Sequence, residues 1–138
     1  MRYQRLDHTA DIGVRAFGRT PAALFQNAAL GMLEIWIDPR RVRLSKTVKL
    51  HATGANLEDL LVGWLSEILY QVSARKMLLK KFEFQAMTPT QVRAVGWGER
   101  IDPKRHAIQK EIKAVTYHGL MIRKNREGML TAQVIFDI

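Results

Sequence analysis

Leu130-Thr131-Ala132-Gln133-Val134-Ile135-Phe136-Asp137-Ile138 alternates with a period of two. Leu130, Ala132, Val134, Phe136 and Ile138 fall on one face, with Thr131, Gln133, Ile135 and Asp137 on the other. That is the pattern of a strand with one face on a core. The apolar phase runs through Ile138, so this end of the chain is expected to be tied down rather than frayed. Held there, it places two anionic groups side by side, the Asp137 side chain and the α-carboxylate of Ile138.

The same alternation recurs near the opposite end. Ile12, Val14 and Ala16 alternate with Gly13, Arg15 and Phe17, which predicts a half-buried strand over 12–17 ending at Gly18. Asp11 precedes it and shares the face of Gly13 and Arg15. Asp11 and Asp137 thus both point away from the apolar sides of their strands, and they would converge if the two strands pair. Converging carboxylates repel, and need a proton, a basic partner or a cation. Oxygen-only donors suit a hard ion such as Ca²⁺ or Mg²⁺. The alternative is two solvated carboxylates, or carboxylates paired with Lys113.

Between these strands lie two helical patterns. Thr20-Pro21 reads as an N-cap followed by proline at the first helical position, and Leu24, Phe25, Ala28, Ala29, Met32, Leu33 and Trp36 recur at helical spacing up to Asp38-Pro39. Asn56 caps a second helix with Glu58 and Asp59 in its first turn, where negative charge suits the helix dipole. Its stripe runs through Leu57, Leu60, Leu61, Trp64, Leu65, Ile68, Leu69 and Val72. Residues 42–52 read as extended, with Val42, Leu44, Val48 and Leu50 in phase. Strands are also expected around 82–86 and 92–94, separated by a turn at Pro89. A loop over 99–109, an extended run over 110–123 and a turn at Asn125–Gly128 complete the chain. The expected fold is an α+β two-layer sandwich of mainly antiparallel strands with two amphipathic helices, in one domain spanning 1–138.

Composition narrows the chemistry. The 138 residues contain no cysteine, which excludes disulfides, thiolate metal ligands and thiol nucleophiles. No apolar run approaches a membrane span, and Met1-Arg2-Tyr3-Gln4-Arg5 carries no apolar signal segment, so a cytoplasmic protein is expected. The formal charge is +9, which favours polyanionic partners or serves solubility. The basic clusters, Arg40-Arg41-x-Arg43, Arg75-Lys76, Lys80-Lys81 and Arg123-Lys124-x-Arg126, are scattered along the chain. Trp36 and Trp64 sit on apolar stripes, which leaves Trp97 as the better candidate for an exposed aromatic. Lys104, Arg105 and His106 are expected on a loop, where functional groups are often displayed. Lys113 and the loop cations can hold a phosphate or a partner's carboxylate, or Lys113 can form a cross-strand ion pair worth little. His118 can be a ligand or base, or simply a hydrogen-bonded strand histidine. No HExxH, nucleophile elbow, P-loop or GxGxxG occurs.

Five segments in order resemble the archease family. These are Asp7-His8-Thr9-Ala10-Asp11-Ile12-Gly13-Val14-Arg15-Ala16-Phe17-Gly18, Phe25-Gln26-Asn27-Ala28-Ala29, Trp64-Leu65-Ser66-Glu67-Ile68-Leu69-Tyr70, the signature from Gly98-Glu99 through Arg105-His106 to Glu111-Ile112-Lys113-Ala114-Val115-Thr116-Tyr117-His118-Gly119-Leu120, and Val134-Ile135-Phe136-Asp137-Ile138. Residues 39–55 and 75–95 carry no signature. The resemblance implies an α+β sandwich and a non-enzymatic activator of the RtcB-type RNA ligase. That ligase joins 2′,3′-cyclic-phosphate or 3′-phosphate ends to a 5′-hydroxyl with GTP and manganese, and archease promotes its guanylylation and multiple turnover in tRNA splicing. It also implies a divalent cation, calcium being the expected one, held by Asp11, Asp137 and Ile138. Arg105, Lys113 and His118 are expected to position phosphate or partner carboxylates. A competing reading is an RNA-binding or chaperone-like module that presents tRNA to modifying enzymes, with transient tRNA contact. A metal-dependent hydrolase is the third reading, and it lacks a clear base beside the carboxylates.

Overall fold

A computed structural model describes residues 1–7 and 11–138. Its elements are β1 (Tyr3–Asp7), β2 (Asp11–Gly18), α1 (Pro21–Trp36), a short 3-10 turn (Pro39–Arg41), β3 (Lys46–Thr53), α2 (Leu57–Ser73), β4 (Met77–Thr88), β5 (Gln91–Arg100), β6 (Ala114–Val115), β7 (Met121–Lys124) and β8 (Leu130–Asp137). One sheet has the order β1-β2-β8-β6, with β7 also on β8; the other is β3-β5-β4. Every pairing is antiparallel. The α+β class, the two helices and the antiparallel pairing are therefore as expected. No helix is long and apolar enough to cross a membrane among the described residues.

Both helices start where local chemistry dictates. Ala23 N–H donates to Thr20 Oγ1 at 3.1 Å, with Pro21 at the first helical position. The second start is reciprocal: Asp59 N–H donates to Asn56 Oδ1 at 2.9 Å, and Ala55 N–H donates to Asp59 Oδ2 at 2.8 Å. The bonds from Ala23 and Asp59 satisfy donors that the first helical turn leaves without a partner, and the bond from Ala55 ties the chain before the cap back to the helix. The helices are buried on more than one side because both sheets touch them. α1 lies on β2 and also meets β4, while α2 lies on β3 and also meets β6 and β7. Trp64 is fully buried where these layers meet, with Phe25 of α1 and Phe82 and Phe84 of β4 around it. Its indole N–H donates to the Phe25 carbonyl at 3.0 Å, so the fully buried Trp64 carries no unpaired polar atom.

Four elements differ from expectation. β1 was not legible, since Tyr3-Gln4-Arg5-Leu6-Asp7 has no apolar alternation; it is an edge strand recruited by pairing with β2. β3 begins at Lys46, because the turn at Pro39–Arg41 occupies the preceding stretch; Val42 is buried but Leu44 is exposed. β5 runs well past the expected 92–94, through Gly96 and Gly98 to Arg100. A Cβ at Gly98 would lie 1.7 Å from the Leu78 carbonyl oxygen, so glycine permits the close strand approach beside the bulge in β4. The run 110–123 is not one strand: only Ala114–Val115 and Met121–Lys124 are paired, with a turn at Gly119 (φ +64°) between them.

Candidate functional site

β2 and β8 lie side by side with Asp11 opposite Asp137, Ile12 opposite Phe136 and Gly13 opposite Ile135. The register is fixed by burial. Ile12, Val14, Val134 and Phe136 are all essentially inaccessible, and a slip of one residue would turn each of them to the other face. That constraint places the two aspartates on the outer face as direct cross-strand neighbours. Gly13 lets the strands sit this close: a Cβ there would meet Ile135 Cδ1 at 2.7 Å and the Val134 carbonyl at 2.8 Å.

On the far side of β8, Ala114 lies opposite Asp137, and Lys113 N–H donates to the Asp137 carbonyl at 2.8 Å. The Asp137 backbone is thus held from both flanks. Asp11 is half-buried and Asp137 exposed, and Ile138 is half-buried against the core. Asp11 Oδ1 is buried with no hydrogen-bond partner among the described residues. Such an orphaned carboxylate oxygen is costly and calls for a donor or a cation. Among the described residues neither aspartate is ion-paired with Lys113. Two facing carboxylates, one with an unsatisfied oxygen, fit a hard divalent cation. Among the described residues no third His, Asp or Glu joins them, and Ile138 directly follows Asp137 in the chain. His8, Thr9 and Ala10 lie outside the described residues.

The other expected residues lie apart from this pair or beside it in different roles. Lys113 is exposed, and its backbone rather than its ammonium contacts Asp137. His118 is exposed in the turn after β6, where its N–H donates to Thr116 Oγ1 at 3.2 Å. Next to it, Tyr117 donates its hydroxyl to Asp59 at the start of α2, which lowers the Asp59 carboxyl pKa and raises that of the phenol. Arg105 is not a displayed loop cation. It donates to Glu99 and to the Arg41 carbonyl, and so is spent on the β3-β5-β4 side of the molecule.

Sequence reasoning missed the cluster that holds it. Glu99 and His106 are both buried. Glu99 Oε2 accepts from Arg43 N–H at 2.7 Å and faces His106 Nε2 at 3.1 Å, while Asp102 N–H donates to His106 Nδ1 at 2.8 Å. This pattern assigns a neutral imidazole protonated at Nε2. Burial alone would push the Glu99 carboxyl up, but the Arg43 amide, His106 and Arg105 outweigh it and the net shift is downward. No periodicity announces such a cluster; the only cue was an acid, an arginine and a histidine within eight residues. Trp97 also differs in degree: it is half-buried, with Lys81 Nζ 5.5 Å from its ring centroid.

The family model described as "Archease protein family (MTH1598/TM1083)" matches residues 3–138. A protein archease of Methanosarcina acetivorans is 38% identical over 141 residues, covering 99% of this chain and 96% of the relative. One of Sulfolobus acidocaldarius is 30% identical over 138 residues, covering 99% of each. The solution structure of Methanobacterium thermoautotrophicum protein 1598 superposes with a TM-score of 0.81 at 28% identity, covering 99% of this chain and 98% of that one. A Thermotoga maritima crystal structure, described as an archease and possible chaperone, has a TM-score of 0.65 at 20% identity and covers 100% of this chain and 98% of that one, which supports the fold alone.

Proposed function

The chain belongs to the archease family, and from that premise we propose that it is a non-enzymatic, metal-binding activator of an RtcB-type RNA ligase. It promotes guanylylation of that ligase and so its multiple turnover in tRNA splicing and RNA repair. The observation that carries this reading is the opposition of Asp11 and Asp137 across β2 and β8, with Asp11 Oδ1 buried and unsatisfied. Asp11, Asp137 and an oxygen of Ile138 would hold the ion, which we take to be calcium; its charge would offset the repulsion between the aspartates.

The remaining roles belong to the chain. β2 and β8 deliver the two carboxylates on one rigid outer face. Ile138, packed on the core, keeps the chain after Asp137 from swinging away. Lys113 fixes the Asp137 backbone, and its exposed ammonium is free to meet an anionic partner group, with His118 nearby in sequence. Arg105, held by Glu99, orders the loop after β5, and its partly exposed guanidinium can still position a phosphate or partner carboxylate. The acidic end then docks at the ligase's nucleotide or manganese site.

Ligase guanylylation with GTP and manganese, followed with and without the purified protein, tests the reading. The wild type should raise both the rate and the number of turnovers, and Asp137→Ala should abolish the gain. Undiminished activation by Asp137→Ala, with metal binding lost, would remove the metal from the mechanism. No activation by the wild type would remove the ligase.

A further inference from the structure

The outer face of the β3-β5-β4 sheet is chemically unlike the face bearing the aspartates. Register places Thr47, Lys49, His51 and Thr53 of β3 opposite Trp97, Val95, Arg93 and Gln91 of β5. β4 adds Lys81 opposite Trp97, Glu83 opposite Val95, and Thr88 opposite Gln91. Their strand neighbours Leu50, Ala52, Val92, Ala94 and Phe82 are buried on the core side, so these residues face outward. Lys49, Lys81 and Arg93 are exposed cations against the single acid Glu83. Lys81 is 3.9 Å from Glu83 and lies over the Trp97 ring. Among the described residues Lys49 and Arg93 take part in no ion pair. They are diagonal neighbours across β3 and β5, about 7–8 Å apart by sheet geometry. Trp97 is the half-buried member of the three tryptophans, its Nε1 turned inward and its ring partly open; Trp36 and Trp64 are 4% and 0% accessible.

We propose that this sheet face binds single-stranded RNA, with Lys49 and Arg93 on successive phosphates and the Trp97 indole, uncovered by movement of the flexible Lys81, against a base. Unpaired cations beside an aromatic on an open sheet form the combination that tracks a phosphate backbone and stacks its bases without reading sequence. An acidic protein could also meet both the cations and the indole, but two unpaired cations set diagonally on adjacent strands suit the regular charge spacing of a phosphate backbone, so RNA is the better match. Archease-type activation calls for no RNA affinity of its own, and this surface is separate from the Asp11–Asp137 pair.

Anisotropy of a labelled 12-nucleotide RNA across a salt series, with the protein alone, provides the test. Lys49→Glu with Arg93→Glu should weaken binding by at least about tenfold and flatten the log–log salt slope by about 1.4, about 0.7 for each lost phosphate. A control with the same charge change elsewhere, Arg123→Glu with Lys124→Glu on β7, should lose far less. RNA should also shield the wild-type tryptophan emission from iodide, since Trp97 is the accessible indole. Trp97→Leu should weaken binding about tenfold with the salt slope unchanged. Equal losses in both double variants would mean that only net charge matters and would overturn the proposal. So would unchanged affinity, unaltered quenching, or tighter capture of polyglutamate than of RNA. Guanylylation by Lys49→Glu with Arg93→Glu should remain at wild-type level, so the two readings fail separately.

Discussion

At the scale of single residues, one buried carboxylate oxygen among the described residues, Asp11 Oδ1, is without a partner and belongs to a residue opposite a second carboxylate. A folded protein tolerates this where something from outside completes the site. The expected consequence is a melting temperature that rises with calcium: saturation at about a hundred times Kd adds about 2.7 kcal/mol. Asp11→Asn and Asp137→Asn should each lose that rise while melting no lower than the wild type in chelator, since each also removes a repulsion. A full calcium-induced shift in Asp137→Asn would contradict the assignment. Asp38 offers a second check. Arg40 donates to it from side chain and backbone, bringing its carboxyl to about 2 from an ordinary 3.8. A depressed carboxyl stabilises the fold above its ordinary value, and that contribution fades as pH falls through about 2. NMR titration should show the low value, and Arg40→Ala should return it toward the usual range. Sequence phase did put Asp11 and Asp137 on outward faces. It could not choose β8 as the neighbour of β2, because a period of two says which face a side chain occupies and nothing about which strand lies alongside.

Elements show where local patterns were enough and where tertiary packing decided. The two helix starts were legible because Thr20-Pro21 and Asn56 act within a few residues of themselves. The segment after β5 was not, because Ile112 reaches the core and Lys113 bonds to β8 from a chain with little regular pairing. Its order rests on Glu99 with Arg43, Arg105 and His106. Removing the buried acid leaves donors without a partner, so Glu99→Ala should cost about 3 kcal/mol and expose residues 101–106 to protease. The cluster should also respond to acid. The Glu99 pKa is lowered on folding, so its stabilisation is complete above the ordinary 4.5 and is lost as pH falls through the lower folded value. Amide exchange at Arg43 measured at neutral pH and again well below 4.5 should show protection lost at the lower pH; protection that persists would sever the link. Gly13 tests the strand pair. Gly13→Ala should cost about 1–3 kcal/mol through the forced contact with Ile135 and Val134, and should weaken calcium binding in the same variant.

For the whole molecule, two sheets share one pair of helices, and Trp64 of α2 ties α1 to β4 through Phe25, Phe82 and Phe84. Trp64→Ala should cost about 3–5 kcal/mol, read as a lower urea midpoint with tryptophan and backbone signals moving together. Separate transitions would mean that the sheets unfold independently. The +9 charge was visible in composition, but its arrangement was not: the cations of Lys49 and Arg93 meet only because β3 and β5 pair, although they lie far apart in the chain. The same long reach governs the acidic site. Arg15 on β2 hydrogen-bonds Gln133 on β8 across 118 positions, and β8 is flanked on both sides by partner strands. The strand that closes the sheet therefore emerges from the ribosome after nearly everything it must join. A nascent chain carries Asp11 long before Asp137 and cannot assemble the carboxylate pair until synthesis has passed Asp137. Cation capture would then act as a certificate that β8 has joined β2, withheld from any chain stalled before Asp137.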